Sequence, residues 1–433
     1  MMNLQEINVL IDGYNLELIK GTGIKTYGIS LIKALACLGA NTDILCSRYT
    51  NNTDSILDET LFFDIPKQTD SKLSLAKSMV FAASKQFYRA KKIPVSDFVI
   101  KQNSDLIFEY LSKSGEIFNL PDCFAIANNL YKRLGMNANI NVPKKIDVWH
   151  ATYPLPVQVN NAKRITTIHD LIPLKLPYTT LDDKSFFFNN IKKSIQDSQV
   201  IITVSENTKK DILDCFDIHP DKINVTYQPI IDQTLALTEK SEEEIYKQLK
   251  KFRIKYKKYI LFVGAIEPKK NVGRLIDAYS GLDTDIQLVI VGKKAWLWEG
   301  EIGKLEAMFS SKFHTKVKLL EFVTRNDLLY LYKGALCFAF PSLYEGFGLP
   351  PLEAMAMGCP VITSNVSSLP EVCGDAALYV DPYDSIDIRK NLETLINNPH
   401  LQKQFSQAGK ERVKLFSMEN YVKKLYEAYT KVL

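Results

Sequence analysis

The sequence predicts an α/β protein made of two successive parallel-sheet units, and three stretches carry that expectation. Residues 335–381 run ALCFAF-PSLYEGFGLP-PLEAMAMG-CPVITSN, an apolar run, a glycine loop, a helix and a second apolar run. That order is the unit that seats nucleotides at the carboxyl ends of parallel strands. A strand followed by a glycine loop and an amphipathic helix also opens the chain, over residues 7–39. A third strand, YILFVGA at 259–265, follows a charged helix at 241–256 and starts a second sheet. The length, 433 residues, suits two or three domains.

Composition narrows the class. Hydrophobic residues make up 46% and charged ones 24%, as in an ordinary globular protein. A net charge of +5 is too small for a nucleic-acid binder. The seven cysteines are scattered without a CxxC pair, so they read as reduced core thiols. The start, MMNLQEINVLIDGYNL, lacks the charged-then-apolar order of a secretory signal, and no apolar run approaches the ~18 residues of a membrane span. A cytosolic protein, soluble or peripherally attached, is the expectation. There is no solenoid repeat and no low-complexity tract.

In chain order, Ile7–Ile11 is the first strand, ended by Asp12 and Gly13. Ile24, Tyr27, Leu31, Ile32, Leu35 and Leu38 then recur at helical spacing, with Gly39 closing the helix. Gly21 and Gly23 enter that helix, either as a phosphate seat or as an ordinary βα turn. Residues 50–145 are the least legible part. Within them, residues 72–94 read as a basic amphipathic helix with Leu73, Ala76, Met79, Val80, Ala83 and Phe87 on one face and no acid. Such a helix docks on an anionic membrane, or packs on a core with a solvated basic face. IDVWHATYPLP (146–156) and RITTIHDLIPL (164–174) are strands that end in His150 and in His169–Asp170. VIITVSENTKKDIL (200–213) is a strand followed by a helix that Ser205 caps.

NVTYQPI (224–230) ends the first half, which divides the chain into domains 1–235 and 236–415 and a last helix, 416–433. In the second half, Lys269 and Lys270 stand at the mouth of the helix NVGRLIDAY, as a diphosphate clamp or as solvated lysines. Strands at 286–292 and 316–321 and a helix at 326–335 lead into the glycine loop. There Pro341 ends a strand, and Glu345, Gly346, Phe347, Gly348 and Leu349 precede a helix that begins at Pro350 and Pro351 and closes at Gly358. Loop amides and the helix start suit an anion. Two carboxylates beside such a seat, Glu345 and Glu353, fit a ligand that also carries hydroxyls. The plainer reading is a solvated Glu345 and a Glu353 that favours the helix dipole. The last helix carries an apolar stripe, Phe416, Tyr421, Leu425 and Tyr429, which reads as a packing face.

The setting PSLYEGFGLPPLEAMAMGCPVI, with seven residues between the two glutamates, closely resembles the signature of the retaining glycosyltransferases of family 4, which have the GT-B fold. The resemblance continues through SSLPEVCGDAALYVDP and, upstream, FVGAIEPKKNVGRLIDAY (262–279), LVIVGKKAW (288–296), TIHDLIPL (167–174) and ITVSENTKKDI (202–212). It covers most of the chain outside 50–145. It implies two Rossmann-like domains facing a cleft, with the last helix crossing back to the N-terminal domain. Lys270 would bind the donor's phosphates with the 346–349 backbone, Glu345 would hold sugar hydroxyls, and Glu353 would bind ribose. His169 would contact the transferred sugar or its leaving phosphate. His150 and Asp170 would border the acceptor, and the Gly21–Gly23 loop would face the cleft. Gly292, Lys293 and Val323 would lie near the base. Many members carry an arginine where this chain has Ala265, so Lys269 either replaces it or the clamp has one cation fewer.

The resemblance implies retention by same-face attack, with the leaving phosphate taking the acceptor's proton. No Asp-x-Asp at a strand end suggests a metal, and no cofactor is expected beyond the nucleotide sugar, GDP-mannose or a UDP-hexose. The EPKKN form leans toward mannosyl transfer in surface polysaccharide synthesis, by analogy. A lipid-linked saccharide acceptor at the cytoplasmic face of the inner membrane completes the expectation. A non-hydrolysing sugar-nucleotide 2-epimerase and a non-catalytic nucleotide-sugar-binding subunit share the architecture and stand as alternatives.

Overall fold

The computed structural model describes residues 2–18, 23–50, 54–64, 88–99, 115–230, 240–303 and 316–433. Among the described residues the N-terminal sheet has eight strands, in spatial order Ile223–Val225, Val200–Thr203, Lys163–Ile168, Val148–Ala151, Asn8–Asp12, Asn41–Cys46, Ile117–Asn119 and Lys91–Ile93. Neighbours pair in parallel except the last two, which run antiparallel. The central strands hold apolar runs that are buried on both faces of the sheet. Val9, Leu10 and Ile11 are all fully buried, whichever face they point to.

The C-terminal sheet is wholly parallel: Val317–Leu320, Gln287–Val291, Tyr259–Val263, Cys337–Phe340, Val361–Ser364 and Ala377–Val380. Counted along this half of the chain, the spatial order is 3-2-1-4-5-6, the doubly wound arrangement. The order reverses between Tyr259–Val263 and Cys337–Phe340, so the loops leaving those two strands diverge and open a crevice. Gly292 is needed where the strand ends converge: a Cβ there would lie 1.8 Å from the Gly264 carbonyl oxygen.

A small parallel sheet, Tyr88–Arg89, Ala138–Asn141 and Val157–Val159, flanks the N-terminal domain. It encloses a second core with Trp149, Phe118 and Phe124. This corrects part of the expected basic helix over 72–94. Residues 88–89 and 91–93 are strands, held by pairing to Ile140–Asn141 and to Ile117–Asn119. Residues 72–87 of that expectation, and Gly21, lie outside the described residues. The charged helix is also shorter than its pattern. A Ser241–Glu244 capping box starts Glu242–Lys251, and the left-handed Arg253 (φ 53°) turns the chain soon after its end.

The last helix, Met418–Thr430, crosses back to the N-terminal domain as the resemblance implies. Tyr421 meets the Tyr27 ring edge-on at 6.4 Å, and the Tyr429 hydroxyl lies 2.8 Å from His150 Nδ1. The predicted stripe is its buried face, since Tyr421, Leu425 and Tyr429 are all inaccessible.

Candidate active site

The donor side is built from the two loops at the C-terminal switch point. After Tyr259–Val263 the chain makes a short 3-10 turn, Pro268–Lys270, and the left-handed Asn271 (φ 58°) starts helix Val272–Ser280. Asn271 Nδ2 donates to the carbonyls of Pro341 (2.8 Å) and Pro382 (2.7 Å), so the first loop is pinned to the second. Lys270 Nζ thereby sits 2.6 Å from Glu345 Oε1 and over the Phe340 ring. Ser342 Oγ donates to the same carboxylate oxygen at 2.6 Å. The Glu345 amide donates to Ser367 Oγ at 3.0 Å, and Ser368 Oγ donates to the Phe347 carbonyl at 2.7 Å. Three serines thus fix a loop that glycine alone would leave loose.

Gly348, with φ 112°, turns the loop into helix Leu349–Ala356. Pro350 and Pro351 follow and have no N–H, so donors at this helix mouth come from the loop. The amides of 346–349 find no acceptor among the described residues. They form a short arc of unpaired donors beside the Lys270 ammonium, a seat for an anion. The Phe347 side chain packs against Phe416 and Tyr227, so that residue offers only its main chain.

Glu353 lies one turn into the helix and is buried. Burial raises its carboxyl pKa, and the Arg325 guanidinium, 2.6 Å away, opposes the rise. Arg325 is the first residue of helix Arg325–Gly334, capped by Thr324, and sequence reading missed it. Gly292 and Val323 lie just past the ends of Gln287–Val291 and Val317–Leu320, beside the same crevice.

Across the crevice stand the carboxyl ends of the N-terminal strands. His169 follows Lys163–Ile168, and its Nε2–H donates to the Thr152 carbonyl at 2.9 Å. Burial pushes its pKa down to about 4, so at neutral pH Nδ1 is left as an acceptor. The Tyr27 ring stands edge-on to it at 4.9 Å, and the Tyr27 hydroxyl bonds Thr167 Oγ1 at 2.8 Å. Asp170 accepts the Ile172 amide at 3.0 Å. Burial raises its carboxyl pKa, and Lys269 from the other domain opposes the rise.

The two sides touch. A Cβ on Gly346 would lie 2.3 Å from the His169 carbonyl oxygen, so glycine is required for the loops to meet. Ser205 caps helix Glu206–Cys215, as its sequence suggests, and its Oγ also donates to the Gly346 carbonyl at 2.7 Å. Glu371 accepts the Glu206 and Asn207 amides at 2.6 and 3.0 Å, which fixes the C-terminal domain to that helix start. No group of His, Cys, Asp and Glu that could hold a metal ion occurs among the described residues.

Two placements differ from the sequence reading. His150 does not border the cleft. It is fully buried, with Nδ1 on Tyr429 and Nε2 2.9 Å from Thr167 Oγ1, and burial takes its pKa down to about 3. It lies inside a strand rather than past its end, so its ring points under the last helix. Lys269 turns away from Lys270. Its Nζ is 3.4 Å from Glu267, and the side chain lines a cavity shared with His169 and Asp170. Burial works against the Lys269 ammonium, yet Glu267, Asp170 and Glu345 together hold its pKa above the ordinary lysine value. Gly23 is the first residue of helix Gly23–Cys37.

Known proteins share this architecture. Residues 244–412 match the family model of the glycosyl transferases group 1, and residues 116–233 match that of Glycosyltransferase Family 4. Over 293 residues the chain is 32% identical to the O-antigen chain mannosyltransferase B of Escherichia coli, across 65% of this chain and 74% of that protein. It is 29% identical over 289 residues to the serotype-specific mannosyltransferase WbdA of Escherichia coli, but spans only 35% of that protein. Among solved structures, Anabaena Alr3699/HepE in complex with UDP and glucose superimposes with a TM-score of 0.65 at 13% identity, covering 98% of this chain and 100% of that one. WaaG, a glycosyltransferase involved in lipopolysaccharide biosynthesis, superimposes with a TM-score of 0.57 at 14% identity, covering 97% and 99%. Two facing sheets, an anion seat at the switch point of the second, and this likeness in sequence and shape lead to one conclusion: the chain belongs to the family 4, group 1 glycosyltransferases and has their GT-B fold.

Proposed function

We propose that this enzyme moves a mannosyl residue from GDP-mannose to a saccharide acceptor, lipid-linked, in surface polysaccharide synthesis. One observation carries the reading: the Lys270–Glu345 pair lies beside the unpaired 346–349 amides, in the loop whose Gly346 meets the His169 main chain. The diphosphate sits on the amides and Lys270, which draw off the negative charge that grows as the C1–O bond to phosphate breaks. Glu345 accepts hydroxyls of the sugar, and the neutral His169 accepts another through Nδ1. The ribose hydroxyls donate to Glu353 once they compete with Arg325. The acceptor oxygen bonds C1 on the face the phosphate leaves, and its proton passes to a β-phosphate oxygen, so configuration is retained. Charge neutralisation by Lys270 and the loop amides carries departure without a metal ion. The named mannosyltransferases among the relatives favour mannose over a UDP-hexose, and a lipid-linked acceptor places the enzyme at the cytoplasmic face of the membrane. Among the described residues no helix is long and apolar enough to cross a membrane.

The test is a donor screen with a lipid-diphosphate oligosaccharide acceptor, products read by mass and linkage, with and without EDTA. Mannose addition from GDP-mannose alone, unchanged by EDTA and α-linked, is expected. Transfer from a UDP-hexose in preference, or release of an altered sugar nucleotide without acceptor, overturns the proposal.

A further inference from the structure

The two halves of the site are joined at one buried carboxylate that the chemistry above does not use. Asp211 lies on helix Glu206–Cys215 of the N-terminal domain, and its side chain is 4% exposed. Its Oδ1 is 2.7 Å from Lys175 Nζ, at the end of the short helix Ile172–Lys175 that follows His169 and Asp170. Its Oδ2 accepts the hydroxyl of Tyr344, the residue before Glu345 in the donor loop of the other domain. Asn207 Nδ2, one turn back on the same helix, donates to that hydroxyl oxygen at 2.9 Å. Burial raises the Tyr344 phenol pKa, and the bond to Asp211 adds to the rise, so the phenol remains a donor at neutral pH. Thr208, between Asn207 and Asp211, donates from Oγ1 to the His169 carbonyl at 3.1 Å. One helix therefore grips the His169 side through Thr208 and Asp211, and the Glu345 side through Asn207 and Asp211.

We infer that Asp211 and Tyr344 are positioning residues, which set the separation of His169 and Glu345 across the domain boundary. A buried carboxylate is costly unless it is paired, and each oxygen of Asp211 has its partner on a different side of the site. The carboxylate is satisfied only when the Tyr344 loop and the Lys175 turn are both seated, so it penalises any arrangement in which one has shifted. A peptide bond joins Tyr344 to Glu345, so a phenol anchored at its tip limits how far the Glu345 backbone can move. Lys270 and the 346–349 amides belong to the C-terminal domain and do not touch Asp211. Loss of the joint should therefore act on turnover and spare nucleotide affinity. The inference rests on the transferase reading above and adds what keeps the two halves in register.

The experiment measures kcat and KM for transfer from GDP-mannose, GDP affinity by calorimetry, and amide hydrogen exchange by mass spectrometry, on the full chain and its variants. Tyr344→Phe should lower kcat about tenfold and Asp211→Ala about 10²-fold, while donor KM and GDP affinity change less than about twofold. Asp211→Asn keeps an acceptor for Tyr344 but loses the charge beside Lys175, and should fall between them. The double variant Tyr344→Phe/Asp211→Ala should be little slower than Asp211→Ala, because one bond is removed from both ends. Tyr344→Phe keeps the ring, so it decides the matter if Asp211→Ala does not fold. Unchanged kcat, losses that multiply in the double variant, or GDP affinity that falls in step with kcat overturns the inference. Exchange judges the joint without any donor. Either variant should speed exchange in both 170–176 and 343–349, on opposite sides of the boundary, and an unchanged pattern overturns the inference. A parent enzyme that shows no transfer from GDP-mannose, yet whose variants loosen both segments, sinks the donor reading and leaves the joint standing.

Discussion

Truncating Lys270 tests the charge logic of the site. Its ammonium is 2.6 Å from Glu345 Oε1, with side chains 15% and 11% exposed, so solvent screens the pair only in part. Two unit charges ~4 Å apart interact by ~4 kcal/mol at an effective dielectric of ~20. Desolvation takes a share of that, and removing one partner of such a pair costs about 2–5 kcal/mol, much of it from the charge left alone. Ser342 Oγ still donates to Glu345 in the Lys270→Ala variant, which favours the lower end for stability. Turnover should suffer more, because the diphosphate carries extra charge in the transition state. Loss of one preorganised electrostatic group typically costs ~10²-fold in kcat. Lys270→Ala should therefore lower transfer by about 10²-fold, and Glu345→Ala by at least ~10-fold. The double variant should lose little beyond the worse single one, because the two groups act together. Steady-state transfer from GDP-mannose, with thermal unfolding as the control for folding, checks this. Near-normal turnover by both single variants would refute the reasoning.

Gly346→Ala should drop transfer at least ~10-fold with the C-terminal domain folded, since the new methyl cannot share space with the His169 carbonyl and must part the loops; normal kinetics would count against loop contact. Asp12 is fully buried with one carboxylate oxygen unpaired, and burial raises its pKa from 3.8 to about 6. A carboxyl raised in the folded state stabilises below its unfolded pKa and loses that contribution as pH climbs through the folded value. Asp12→Asn should thus add stability that grows from pH 4 to pH 7 toward ~3 kcal/mol and is flat above, read as urea midpoints across pH; a gain independent of pH would contradict it. Tyr429→Phe should cost ~1–3 kcal/mol by leaving buried His150 Nδ1 unpaired, and an unchanged urea midpoint would argue against this bond as the anchor of the last helix.

Much of this was legible in the chain. The strands around 259–265, 286–292 and 335–340 are continuous apolar runs because both sheet faces are covered, and the 345–353 loop is local enough for its glycines, prolines and glutamates to show. What was not legible depends on distance along the chain. His150 and His169 look alike in sequence, both near strand ends. Only the placement of Tyr429, 279 residues beyond His150, shows which is structural. Asp12 reads as a strand terminator until the Thr152 amide, 140 residues on, closes over it. Arg325 met Glu353 only once two helices were packed, and Lys269 was separated from Lys270 by the acids around it. The small strands at 88–93 are too short for any periodicity to mark.

The most direct measurement is a crystal structure of the enzyme with GDP-mannose bound. The account predicts the diphosphate against Lys270 Nζ and the 346–349 amides, the mannose between Glu345 and His169, and the ribose at Glu353. Nucleotide density away from these facing loops, or a diphosphate that leaves Lys270 paired only with Glu345, would contradict it.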